Sequence, residues 1–270
     1  MSAGDYGHGE VRTHSGDIVD LDDYIIQTLE ATTFIVVSKN GHDTTGVGSF
    51  AAPYLTIAKA FTVWTATRHT IYVLAGEYEE VALVWPNITG LNLVALGPVS
   101  VSNSDSAAQV LSISPTFTAS SFGASISGPL NLAADTQIGL KIANAGMTKK
   151  MNVYLDGLTA EMDTSGNSIT IAGTKSGQAI RVYGKNLDLE GLLGAAMNDA
   201  GSRLRFESCD FMGGVTTTGA VAAELSMRNC KILTGGLSAA TQWRLSNVAC
   251  VYATDADPTI YSQLVDAFES

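Results

Sequence analysis

Proline is scarce in this chain, with 6 among 270 residues. Long stretches can therefore donate every backbone N–H, which suits uninterrupted strand ladders. Charged side chains make up only 15 % and aromatic ones 7 %. The aromatics are scattered along the sequence, so no stacking groove for sugar or single-stranded nucleic acid stands out. The three cysteines, Cys209, Cys230 and Cys250, are an odd number without metal-ligand spacing. No run of 18 apolar residues exists, and no charged-then-apolar leader opens the chain. The expectation is a protein that is neither secreted by that route nor membrane-spanning. There is no Walker-type loop, nucleophile elbow or dinucleotide fingerprint, and no cofactor or metal is expected.

Charge is unevenly placed. The net charge is −11, yet the middle of the chain is nearly neutral. Residues 1–30 carry seven acids, Asp5, Glu10, Asp17, Asp20, Asp22, Asp23 and Glu30, against Arg12. Residues 255–270 carry Asp255, Asp257, Asp266 and Glu269 with no base. A neutral body argues against nucleic acid as the ligand, because phosphate binding needs a basic surface. An acidic arm suits docking on a basic protein surface.

A strand motif recurs: an apolar–any–apolar triplet, a polar or small pair, then a turn. In the C-terminal half its copies begin at Val153, Ile180, Leu204, Leu225 and Trp243, each step shorter than the one before. Upstream triplets start at Ile71, Leu91, Leu111 and Leu130. A repeat of roughly 20 residues built on one short strand signals a solenoid. Gly, at 27 residues, supplies the turns.

The remaining segments frame that rod. Residues 1–17 read as an extended polar arm. Asp20 is a candidate N-cap for a short helix over 20–30, with Leu21, Ile25 and Leu29 on one face. Phe34–Val37 reads as a strand, 56–66 as a helix capped by Thr56, and 257–268 as a closing helix with Pro258 in its first turn. The domain reading is thus an anchoring arm over 1–33, a solenoid over 34–254 and a capping segment over 255–270.

The run Val37-Ser-Lys-Asn-Gly-His-Asp43, the glycines Gly46 and Gly48, Pro53 to Ala60, and Thr70-Ile-Tyr-Val-Leu-Ala-Gly-Glu-Tyr-Glu-Glu80 carry a resemblance. Together they resemble the opening of pectate-lyase-like right-handed parallel β-helix proteins: strand, Gly/Asp loop, capping helix, first coil. The resemblance implies an all-β, right-handed parallel β-helix. Chains of this size behind a polar arm are similar to bacteriophage head fibres, capsid decoration proteins and tail spikes. What this implies is a non-enzymatic virion protein, made in the host cytoplasm, a homotrimer attached to a capsid or tail protein. The attachment residues would be Asp5, Glu10, Arg12, Asp17, Asp20, Asp22 and Asp23. The alternative is a tail-spike-type protein that binds or cleaves a host surface glycan. A stand-alone adhesin or solenoid enzyme is a third reading, weakened without a secretion signal.

Aligning the triplets gives two outward columns, Tyr154, Arg181, Arg205, Ser226, Arg244 and Asp156, Tyr183, Glu207, Arg228, Ser246. Asp156, Tyr183, Glu207 and Arg228 are the candidate glycan site. Asp156 and Glu207 then stand two strands apart, about 10 Å, at the edge of what a hydrolytic carboxylate pair spans. Glu207 and Arg228 read as a cross-strand ion pair. Asn229 and Asn247 share a turn position, where stacked asparagines would satisfy backbone groups. Cys209 and Cys230 stack as free thiols, while Cys250 has no partner in the repeat. Glu161 and Asp163 border a turn and have too few converging oxygens for Ca²⁺.

Overall fold

The computed structural model describes residues 10–12, 18–20, 33–103, 109–116, 121–134, 138–161, 166–174, 176–219, 223–233, 236–239 and 244–252. Within them, parallel strands wind into a 15-stranded sheet bent into two faces and a 7-stranded sheet, described below as the first, second and third sheets. This is an all-β, right-handed parallel β-helix.

The first sheet stacks nine strands, from Phe34–Val37 through Thr70–Val73 and Leu91–Ala95 to Arg244–Val248. The second runs from Gly76–Glu80 and Val99–Asn103 to Val251–Tyr252. The third runs from Leu83–Val84 and Gln109–Ile113 to Leu237–Ala239. Alternation sends every second side chain inward, where it stacks on its equivalent in the next coil. One inner column reads Val153, Val182, Leu204, Leu225, Leu245. The third sheet supplies Leu111, Leu140, Ile169, Leu193, Val215 and Leu237. The coils shorten along the chain: the step from Val153 to Val182 is longer than the step from Leu225 to Leu245.

This register corrects two of the five triplet starts. Val182 and Leu245, not Ile180 and Trp243, are equivalent to Val153. A two-residue slip keeps every side chain on its face, so apolar alternation cannot detect it. The corner between the first and second sheets fixes the register instead. Gly128, Gly157, Asn186, Ser208, Asn229 and Ala249 all have positive φ, between 52° and 88°. They occupy one column, each following the aligned residues Ser127, Asp156, Lys185, Glu207, Arg228 and Val248. A Cβ on Gly128 would meet the Ala95 carbonyl oxygen. The amides of Asn186, Ser208 and Asn229 each donate to the next coil: to Glu207 O at 3.1 Å, Arg228 O at 2.9 Å and Val248 O at 2.9 Å. The stacked asparagine pair is therefore corrected. Asn229 is at the corner, but Asn247 aligns with Met227 on an inward position.

The first coil is closed by the helix Ile57–Val63, which buries Ile57, Ala60 and Phe61. Phe61 packs on Trp85, ring centroids 5.5 Å apart. Thr56 caps the helix, its hydroxyl accepting from Lys59 N at 3.1 Å. Asp43 Oδ1 accepts from Leu55 N at 2.8 Å and Oδ2 from the Thr56 hydroxyl at 2.7 Å. The Gly/Asp loop is thus a clamp on the helix start.

At the N-terminus, Glu10–Arg12 pairs antiparallel with Ile18–Asp20, Glu10 opposite Asp20. That corrects the expectation of an arm extended over 1–17. Asp20, the candidate N-cap, ends the strand Ile18–Asp20; the rest of the helix expected over 20–30 and the helix expected over 257–268 lie outside the described residues, as do Asp5, Asp17, Asp22, Asp23 and Trp243.

Candidate functional site

The outer face of the first sheet carries a groove of about 710 Å³. Strand alternation lines it with two outward columns. The first reads Ser125, Tyr154, Tyr183, Arg205, Ser226, Ser246, and the second Ser127, Asp156, Lys185, Glu207, Arg228, with Val248 next in register beyond the groove. The groove therefore holds all four candidate glycan residues, Asp156, Tyr183, Glu207 and Arg228. Their order differs from the sequence alignment. Tyr183 stands beside Tyr154, and Lys185 separates Asp156 from Glu207.

Tyr154 and Tyr183 stack with centroids 5.0 Å apart and planes 9° from parallel. Tyr154 stays 50 % exposed. The expectation of no aromatic platform is corrected here. The two rings are distant in sequence, and one full coil of the chain makes them neighbours. The missed signal is the matching corner residues, Gly157 and Asn186, each three positions after its tyrosine.

Asp156 is held in place by Asn186, whose Nδ2 donates to Oδ1 at 2.9 Å. The ion pairs of the groove converge on Glu224, which meets Arg203 Nε at 3.2 Å and Arg205 Nη2 at 3.1 Å. These partly exposed pairs orient side chains more than they stabilise the fold. Glu207 and Arg228 are aligned partners, but the expected ion pair between them does not form. Among the described residues, Glu207, Lys185 and Arg228 make no side-chain hydrogen bond or ion pair, so the groove presents one free carboxylate and two free cations.

A second polar strip runs along the outer face of the second sheet. Lys231 Nζ meets Asp210 at 3.0 Å, and Asn131 Nδ2 donates to Glu161 at 2.7 Å. Burial raises the Asp188 carboxyl above its ordinary range, and Asp210, Glu190 and Glu161 add to the rise. Among the described residues no group of three or more His, Cys, Asp or Glu side chains could hold a metal ion. Asp163 lies outside them.

The three cysteines are free and form one column after the corner residues. Cys250 does have a neighbour in the repeat, contrary to expectation: Lys231 aligns with Val251 and Val251 N donates to Cys230 O at 2.9 Å, which sets Cys250 beside Cys230. The corrected start of the last triplet, Leu245, brings it into the column.

No family model matches this chain, and no curated protein matches it. A solved structure, pectin methylesterase from carrot, is similar with a TM-score of 0.41 at 10 % identity, the match covering 82 % of this chain and 83 % of that one. That likeness concerns the coil alone. The solved protein is named as an enzyme, against the expectation of a non-enzymatic chain.

Proposed function

We propose that this protein is a bacteriophage virion rod, of the capsid-decoration, head-fibre or spike type, that engages a host surface polysaccharide along the groove of its first sheet. The observation that carries the glycan reading is the Tyr154–Tyr183 stack, set beside a column of alternating charge on a rigid face. Sugar rings offer an apolar face to an aromatic ring and hydroxyls to flanking carboxylates. A groove running along the coil axis suits an extended polymer. The attachment reading is supported by the acidic N-terminal segment, which precedes the rod and contains the paired strands Glu10–Arg12 and Ile18–Asp20. Its partner is a basic patch on a capsid or tail protein, and the homotrimer remains the assembly we propose for it.

Retention of host surface polysaccharide on the immobilised protein tests the glycan reading, with Tyr154→Ala as the variant. Binding by the wild type and its loss in Tyr154→Ala are expected. Equal retention by both proteins removes the groove from the function. Release of new reducing ends, compared with Asp156→Asn and Glu207→Gln, reads whether the bound chain is also cut. Deleting residues 1–30 tests attachment: particles should lose the protein while the circular-dichroism strand signal persists.

A further inference from the structure

The groove lies on a basic face of an acidic protein. The outward positions of the first sheet between Met151 and Val248 carry Arg181, Lys185, Arg203, Arg205, Arg228 and Arg244. Only Asp156, Glu207 and Glu224 oppose them there, whereas the whole chain has a net charge of −11. Six of its 15 Lys and Arg residues are thus gathered on four consecutive strands of one sheet. Glu224 engages Arg203 and Arg205. The Arg181 Nε is buried without a hydrogen-bond partner. Lys185 and Arg228, both exposed and in one column, make no ion pair among the described residues.

Among the described residues, the same face has an open slot beside Tyr154. Tyr154 uses one ring face on Tyr183. Its other face is turned to the preceding coil, where the register places Ser125 beside Tyr154 and Ser127 beside Asp156. Neighbouring strands are about 4.8 Å apart, which is also a ring-stacking distance. Small serines leave that layer open outside the sheet, so the half-exposed ring faces a space one ring thick.

We propose that the groove takes an acidic polysaccharide, with one sugar ring stacked on Tyr154 over Ser125 and the carboxylate or sulfate groups of the chain meeting Lys185 and Arg228. This rests on the glycan reading of the groove and narrows it. Nucleic acid also offers rings and negative charge, but Asp156 and Glu207 alternate with the bases along the column. Those carboxylates accept from sugar hydroxyls and repel a polyphosphate, which carries a charge on every unit.

The test is binding of the full-length protein to a panel of bacterial capsular polysaccharides, neutral, uronate-containing and sulfated, with a single-stranded oligonucleotide alongside. Acidic polymers should bind and neutral ones should not, with affinity falling as salt rises. Lys185→Gln and Arg228→Gln should each weaken binding about tenfold, close to what one charge-assisted contact supplies. Tyr154→Ala should weaken it on every acidic polymer and Tyr154→Phe should restore it, while circular dichroism stays unchanged in all variants. Preference between the uronate and sulfated arms identifies the anionic group. Equal binding of neutral and acidic polymers overturns this inference and leaves the glycan reading standing. Binding of no polysaccharide overturns both. Tighter binding of the oligonucleotide than of any polysaccharide overturns both in favour of nucleic acid.

Discussion

Glu80 reaches back along the chain to place its Oε1 2.6 Å from the amide of Ile57, at the start of the capping helix. Its Oε2 lies 3.4 Å from the amide of Ala58. Helix-start amides have no partner inside the helix, and here a carboxylate only 4 % exposed supplies one. Removing it in Glu80→Ala leaves those donors buried, at a cost of about 1–3 kcal/mol in chemical denaturation.

The same carboxylate gives the fold a pH dependence. Burial raises the Glu80 pKa above its ordinary 4.5; the Ile57 and Ala58 amides and Lys39 pull it down, and Asp43 adds to the rise. A carboxyl with a raised folded pKa binds its proton more tightly folded than unfolded. Its contribution to stability is therefore greatest at low pH and declines as pH rises from 4.5 through the raised value. Glu80→Gln has no such loss. The melting temperature of Glu80→Gln relative to wild type should climb across that window and level off above it. A difference that stays flat from acid to neutral pH would show that the site is not buried as described.

The corner column makes an opposite pair of predictions. Ala249 has a φ of 53° and Asn229 a φ of 52°. Asn tolerates this left-handed region; Ala, and still more a β-branched residue, does not. Ala249→Asn should stabilise the protein by about 0.5–1 kcal/mol, and Asn229→Val should destabilise it by about 1–2 kcal/mol. Urea midpoints of the two variants check the signs.

Gly184 is a core position. A Cβ there would sit 2.5 Å from Phe206 Cδ1 and 2.7 Å from Leu187 Cδ1. Gly184→Ala should cost about 1–3 kcal/mol through overpacking. Combining it with Phe206→Leu should recover part of that loss, because the two sites share one space.

The cysteine column predicts an order of reactivity. The hydrogen bond to Cys230, together with burial, pushes the Cys209 thiol up, and burial pushes Cys250 up more mildly. Cys209 and Cys230 are fully buried and Cys250 is partly exposed. Alkylation of the native protein, followed by mass spectrometry, should find Cys250 modified first and Cys209 last. The denatured, unreduced protein should show three free thiols; one free thiol would reveal a bridge.

The solenoid, the capping helix and its Thr56 cap were all legible in the sequence. Each depends on local pattern: alternation of period two, an apolar stripe, a polar residue at a helix start. The charged residues of the groove were legible as outward-facing for the same reason. Which of them are neighbours was not. Asn247 imitates Asn229 because the slip between them is an even number of residues.

By itself, then, the sequence determined which face each side chain takes, since that follows from backbone geometry within a strand. Only the tertiary structure decided what lies beside it. The stacking of Tyr154 on Tyr183, the separation of Asp156 from Glu207 by Lys185, and the choice of Glu224 over Glu207 by the arginines all depend on coil length. Coil length varies in the segments between strands, while Asn186, Ser208, Asn229 and Ala249 hold the register at one corner in one conformation despite their differing side chains.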